Sequence, residues 1–159
     1  MTIEDDIAFL QRVPTLSLLG HDALRIIAIG AETYQLEPGD VLFTAGDAAD
    51  SGYVVRDGSF ALERMKAPAQ AREMVARSGA LLGELALMTH TVRPVTATAL
   101  EPSTVLRIPR NLFLKTLESS PVAAKRLRAD LAARAGEAVK DIFGMQSMLS
   151  RDDRAQDDR

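Results

Sequence analysis

The spacing of apolar positions changes twice along this chain, and the two changes divide it. Up to residue 32 the pattern is helical. Thr2 and Asp5 resemble a capping box ahead of Ile7, Phe9 and Leu10. A second helix is expected from Asp22 to Ile29, with Leu24, Ile26, Ile27 and Ile29 as its apolar positions. Gly30 stands where a C-terminal cap would fall.

From Thr33 to Pro109 the helical period gives way to short β-rich runs separated by turn residues. Pro38-Gly39 precedes Val41-Leu42-Phe43, and Gly46-Asp47 precedes Tyr53-Val54-Val55. Asp57-Gly58 reads as a type I′ hairpin turn, with Ser59–Glu63 returning from it. The glycines at 39, 46 and 58 are read as turn devices. Lys66–Arg72, with Pro68 and several alanines, is expected to be an exposed loop. Glu73–Ala76, Val95–Leu100 and Thr104–Ile108 complete the strands. Many short strands at regular spacing predict an all-β sandwich or barrel.

After Pro109 the helical period returns. Leu112, Phe113, Leu114 and Leu117 suit a short helix ending near Ser119-Ser120. Pro121 then occupies a helix-starting position, and a long helix is expected to run to about Phe143 or beyond. Leu131, Ala135, Ala138, Ile142, Met145 and Leu149 alternate at spacings of four and three, a coiled-coil-type seam. That stripe packs either on the same chain or on a second copy. Gly144 marks a possible hinge or end of rigid helix. The expected layout is a helical segment at 1–32, β structure at 33–109, helices at 110–150 and a disordered, charged tail at 151–159.

Composition narrows the function. The chain has 159 residues and is 47% hydrophobic, enough for a core without covalent staples. It has no cysteine, which excludes disulfides, thiolate-bound metals and a cysteine nucleophile, and a reducing cytoplasm is the expected setting. No run approaches the ~20 apolar residues of a membrane span. The net charge of −3 and the 4% aromatic content argue against a nucleic-acid surface. Two separated histidines do not suggest a metal site, and His90 is read as a solvated turn residue. No nucleophile–base pair or Walker-type loop is visible, so no enzyme activity is expected.

One segment interrupts the strands: Gly83-Glu84-Leu85-Ala86-Leu87-Met88-Thr89-His90-Thr91-Val92-Arg93-Pro94-Val95-Thr96. Gly83 permits close backbone approach. Glu84–Met88 suits a single helical turn with free N–H groups at its start. Arg93 then returns toward that turn and can pair with an anion. Glu84 cannot favour a phosphate but can accept a hydrogen bond from a sugar hydroxyl.

This segment resembles the phosphate-binding cassette of cyclic nucleotide-binding domains, as in protein kinase A regulatory subunits and the catabolite activator protein family. Gly83-Glu84-Leu85-Ala86-Leu87 matches the first half of the cassette, and Arg93 keeps its spacing. Leu36–Asp47 and Tyr53–Gly58 resemble the family's glycine-punctuated strands. The likeness covers roughly Thr33 to Leu117. It implies a mainly β fold with flanking helices: a β-roll (double-stranded β-helix or jelly roll) with N-terminal helices, a cassette at 83–96 and a long C-terminal helix. It implies a cyclic nucleotide as ligand, with no other cofactor and no metal. Glu84 would accept from the ribose 2′-hydroxyl and Arg93 would meet the cyclic phosphate. Amides near Leu85 and Ala86 would complete the cradle, and Gly83, Pro94, Val95 and Thr96 would line it. Val75, Ala76, Leu81 and Leu82 would form the base or ribose wall, and Phe143 or Met145 could cap the base.

Two residues depart from the family pattern. Pro94 has no N–H where relatives offer a backbone donor, and it lacks the hydroxyl of cGMP-selective relatives, which favours cAMP. Val95 is bulkier than the usual alanine. The first reading is therefore a cAMP-sensing regulatory module. The alternative is an interaction or dimerisation module that no longer binds nucleotide. Expected partners are a cyclic nucleotide, a second copy through the C-terminal helix, and an unidentified protein. About ten mostly charged residues follow the long helix, too few for a helix-turn-helix domain, so direct DNA binding is not expected.

Overall fold

The computed structural model describes residues 2–64 and 74–134. The expected loop at Lys66–Arg72, the seam beyond Leu131, the proposed caps Phe143 and Met145, and the tail at 151–159 lie outside the described residues.

Helix α1 spans Ile3–Leu10, and its N-terminus carries the capping box read from Thr2 and Asp5. Each residue's side chain accepts from the other's backbone amide at 3.1 Å. A short 3-10 turn follows at Leu16–Leu18, and α2 spans His21–Gly30. Gly30 is not the cap that its position suggested; it is the last helical residue of α2. A Cβ there would lie 2.8 Å from both Leu112 methyls, so the glycine makes room for a later helix.

Ten strands follow: β1 (Glu32–Leu36), β2 (Val41–Phe43), β3 (Ala48–Ala49), β4 (Ser51–Asp57), β5 (Ser59–Arg64), β6 (Met74–Arg77), β7 (Leu81–Leu82), β8 (Thr91–Val92), β9 (Val95–Ala99) and β10 (Ser103–Pro109). They form antiparallel sheets in the orders β1-β10-β4-β7 and β2-β9-β5-β6, with β3 and β8 as a small third pair. The fold is the expected mainly β roll with flanking helices. Helix α3 spans Arg110–Ser119. A last helix, α4, starts at Pro121 and is described through 134. Among the described residues, no helix is long and apolar enough to cross a membrane.

The Asp57-Gly58 turn departs from expectation. The strands it joins do not pair: β4 belongs to one sheet and β5 to the other. Only Gly58 has positive φ, at +93°, whereas a type I′ turn needs positive φ at both central residues. The dipeptide is therefore a corner between sheets.

Alternation along β4 and β10 builds two cores, because successive side chains point to opposite faces. Tyr53, Val55 and Val105 face the roll interior with Leu36, Phe60, Leu82 and Ala97. Val54, Leu106 and Ile108 face the helices, packing with Ile7, Leu10, Leu24, Ile27, Phe113 and Leu127. The run Tyr53-Val54-Val55 is continuous in sequence because β4 is buried on both faces. Leu131 also packs against the helical core, so the first position of the proposed seam contacts its own chain.

Arg56, on β4, meets Asp6 of α1 at 2.5 Å and lies 5.9 Å from the Phe9 ring centroid. The contact is ionic and poorly directed, since Asp6 Oδ1 and Arg56 Nη2 make no well-angled hydrogen bond. Asp6→Asn should therefore leave an underpaired cation at a site only 9% exposed. A loss of about 2 kcal/mol in urea unfolding is expected, below the full cost of breaking a deeply buried pair because Asp6 retains some solvent. An unchanged midpoint would show that the pair does not hold α1 to the roll.

Candidate functional site

The cassette turn is a single 3-10 turn at Leu85–Leu87, flanked by Glu84 and Met88. Ala86 and Leu87 are buried and anchor it, whereas Leu85 is exposed. The Ala86 amide, expected in the phosphate cradle, bonds to the Gly83 carbonyl at 3.1 Å. A tight turn closes its own amides first, which reduces what Ala86 can offer.

Gly83 has φ +80°. A Cβ there would lie 2.5 Å from Arg93 Nη1 and 3.2 Å from the Ser51 carbonyl oxygen. The glycine thus serves both conformation and close approach. Arg93 sits between β8 and β9. Its backbone is fixed by the Gly46 amide, which donates to its carbonyl, and by its own amide, which donates to the Asp47 carbonyl, each at 2.8 Å. The residue is 4% exposed. Nη2 donates to Ser51 Oγ at 3.3 Å, and the buried Nη1 has no partner among the described residues. The guanidinium carbon lies 4.5 Å from the Phe43 ring centroid and 5.4 Å from that of Tyr53. Burial pushes the Arg93 guanidinium below its ordinary pKa. Among the described residues no carboxylate forms an ion pair with it. A buried cation with a vacant N–H is costly unless an anion completes it.

Glu84 is engaged elsewhere. Thr15 Oγ1 donates to its Oε2 at 2.5 Å, and Arg134 Nη1 of α4 meets its Oε1 at 2.7 Å. Arg134 also meets Asp130 at 3.0 Å, one helical turn earlier. Thr15 has φ +75°, the only non-glycine residue with positive φ among those described. Glu84 is thus a junction between the N-terminal segment, the cassette and α4. A carboxylate has about four acceptor sites, so two bonds leave it capacity for another donor.

The other expected residues are dispersed. Pro94 is exposed at the bend before β9, and Val95 opens that strand opposite Arg64. The Thr96 hydroxyl accepts from the Ala45 amide at 2.9 Å. Ala76 and Leu82 join the roll core, but Leu81 packs against the helical core and Val75 is 41% exposed. Strand alternation separates these neighbours, so the four do not form one wall. His90, read as solvated, has its Nδ1 3.2 Å from Arg110 Nη1. Arg110 also donates from Nε to the Ala86 carbonyl at 2.8 Å and from Nη2 to the Ala49 carbonyl, fastening the start of α3 to the cassette.

Phe43, Tyr53, Ser51, Thr15, Arg110 and Arg134 were not singled out as site residues from the sequence. The aromatic content offered a weak signal for the first two, since only a few rings exist to be placed. The others had none, because each reaches the cassette across the fold. An open cleft of about 520 Å³ lies elsewhere, lined by Glu32, Asp50, Arg107 and the start of α3. Arg107 already spans its two acids, at 3.3 Å from Glu32 and 3.2 Å from Asp50. Among the described residues no cluster of three His, Asp or Glu side chains could hold a metal.

An antiparallel roll covered by helices, with a Gly-Glu-Leu turn over a buried arginine, defines a β-roll regulatory domain. The chain belongs to the cyclic nucleotide-binding domain family, whose pattern matches residues 34–120. It is 30% identical over 118 residues to lysophospholipase nte1 of Aspergillus fumigatus, covering 68% of this chain and 8% of that protein. It is 29% identical over 109 residues to the cAMP-dependent protein kinase regulatory subunit of Hypocrea atroviridis, covering 69% of this chain and 23% of that one. The solved cyclic nucleotide-binding-like protein of Brucella abortus superposes with a TM-score of 0.62 at 33% identity, covering 72% of this chain and 98% of that one. The chain therefore spans only a small part of these two curated relatives.

Proposed function

We propose that this domain senses cAMP, with Arg93 meeting the cyclic phosphate and Glu84 accepting from a ribose hydroxyl. The observation that carries this reading is the buried Arg93 guanidinium, which among the described residues has no ion-paired carboxylate and no hydrogen-bond partner for Nη1, beside Gly83. A cyclic phosphate supplies the missing charge and acceptors at that point. The kinship with a cAMP-dependent kinase subunit supports the choice of nucleotide. Gly83, Leu85, Pro94, Val95 and Thr96 border the phosphate in this reading, and Ala76 and Leu82 supply apolar surface from the roll.

Regulation follows from the Glu84 junction. A ligand bound at Glu84 changes the balance of its bonds to Thr15 and Arg134. It thereby favours one placement of α4 over another, shifting an existing equilibrium. No covalent step is needed. Calorimetric titration of the 159-residue chain with cAMP and cGMP is the direct test, and tighter binding of cAMP is the expected result. Saturation by cGMP alone would overturn the nucleotide assignment.

The second reading is an interaction module without nucleotide, and the exposed Pro94 favours it because the bend offers no N–H to a phosphate. Pro94→Ser restores that donor. We expect it to tighten cAMP binding about tenfold, corresponding to one regained hydrogen bond to a charged group. Val95→Ala and the double variant separate a steric block from the missing donor. If none of the four proteins binds either nucleotide, the interaction reading replaces the sensor.

A further inference from the structure

Arg93 rests on two aromatic faces. Phe43 ends β2 in one sheet, and Tyr53 lies on β4 in the other. Their rings stack at 5.8 Å with 30° between planes, so the pair bridges the two sheets beneath the guanidinium. Both belong to the interior of the roll, Tyr53 at 8% exposure and Phe43 at its edge. Sheet register sets the place. Tyr53 pairs with Leu82, the residue before Gly83, and Phe43 pairs with the small Ala97.

A ring face and a carboxylate hold a cation by different means. The carboxylate cancels the charge and occupies the N–H edge. The ring attracts through its quadrupole, carries no net charge and touches only the flat face. On this seat no carboxylate among the described residues occupies the N–H edge of Arg93: Nη2 donates to Ser51, and the buried Nη1 has no hydrogen-bond partner among them. The low-polarity surroundings also strengthen whatever anion interaction forms there.

We infer that Phe43 and Tyr53 are positioning residues that hold Arg93 by their ring faces, without an ion pair to a carboxylate, and thereby set the strength with which the site takes a phosphate. The inference rests on the proposed pairing of Arg93 with the cyclic phosphate. Phe43 is the dominant member, since its ring lies nearer. Tyr53 contributes through its ring and not through its hydroxyl.

The test uses the full 159-residue chain and cAMP as the probe. Phe43→Leu keeps an apolar side chain but removes the face, and is expected to weaken cAMP binding roughly tenfold. Tyr53→Leu should weaken it by a smaller factor, and Tyr53→Phe should bind within about twofold of the parent. In an Arg93→Lys background, Phe43→Leu should have a much smaller effect, because the flat guanidinium that stacks is gone. Proton NMR of the nucleotide-free protein reads the seat independently: the Arg93 Hε resonance should carry a ring-current shift that Phe43→Leu reduces. Full affinity in folded Phe43→Leu and Tyr53→Leu proteins overturns the inference and leaves the cAMP reading standing. Equal losses with and without Arg93 also overturn it, by assigning the effect to general packing. No cAMP binding by the parent chain overturns both, even where the NMR shift is present.

Discussion

Arg93→Met should abolish cAMP binding, by a hundredfold or more, while the nucleotide-free protein stays as stable as its parent or gains stability. Both halves follow from the arginine's surroundings. Arg93 is 4% exposed, and its one side-chain hydrogen bond among the described residues is long, at 3.3 Å to Ser51. Among the described residues Nη1 has no partner, and two ring faces hold the guanidinium. Methionine keeps a flexible apolar stem and a sulfur that packs well on aromatic rings, without a charge to bury. Removing the cation from a bound phosphate instead costs on the order of 3–5 kcal/mol, since the phosphate is left buried and unpaired. That corresponds to roughly two to three or more decades in affinity. Calorimetry and urea unfolding read the two quantities separately. Stability falling by more than about 2 kcal/mol with binding retained would make Arg93 a structural residue.

The second large effect concerns folding. Gly58→Ala should destabilise the domain by roughly 3–5 kcal/mol, enough to threaten the native state of a domain this size. At φ +93° an L-residue is strained before any contact is counted. A Cβ would also lie 2.6 Å from Ser103 Cβ and 2.7 Å from its Cα. The backbone atom cannot rotate away, and Ser103 is itself held in β10 at the corner where the sheets meet. Gly39→Ala provides the control. Gly39 has nearly the same φ, +91°, but nothing lies within 4 Å of where a Cβ would stand. Its cost should be that of backbone strain alone, about 1–2 kcal/mol. The gap between the two midpoints in urea measures the clash. Equal losses would show that Ser103 yields and that φ explains both.

The binding consequences of the fold depend on contacts over long sequence separations. Glu84 illustrates this best. Its identity and place in the turn were legible, but its partners are Thr15, far upstream, and Arg134, far downstream. Its coupling to α4 follows from those partners. A substitution at Thr15 or Arg134 acts on the same carboxylate that the ribose would use, although neither belongs to the cassette.

The sequence alone determined the local elements and the cassette. The capping box at Thr2 and Asp5, the span of β2 at Val41–Phe43, the turns at Gly39 and Gly46, and the single turn after Gly83 all formed as read. Each depends on nearby residues: a side chain capping its own helix, or a glycine relieving its own φ. Tertiary structure decided the partners. It sent β4 and β5 to different sheets, because a turn residue specifies a change of direction and not the strand that waits beyond it. It made Gly30 a space for Leu112 instead of a cap, and turned Leu81 toward the helices and Leu82 into the roll. It also put Arg93 on Phe43 and Tyr53, with no ion-paired carboxylate among the described residues. Apolar periodicity tells which face of a strand is buried, but two faces of β4 are buried against different layers. Only the packing of distant segments decides which core each side chain enters and which charges are left without a partner.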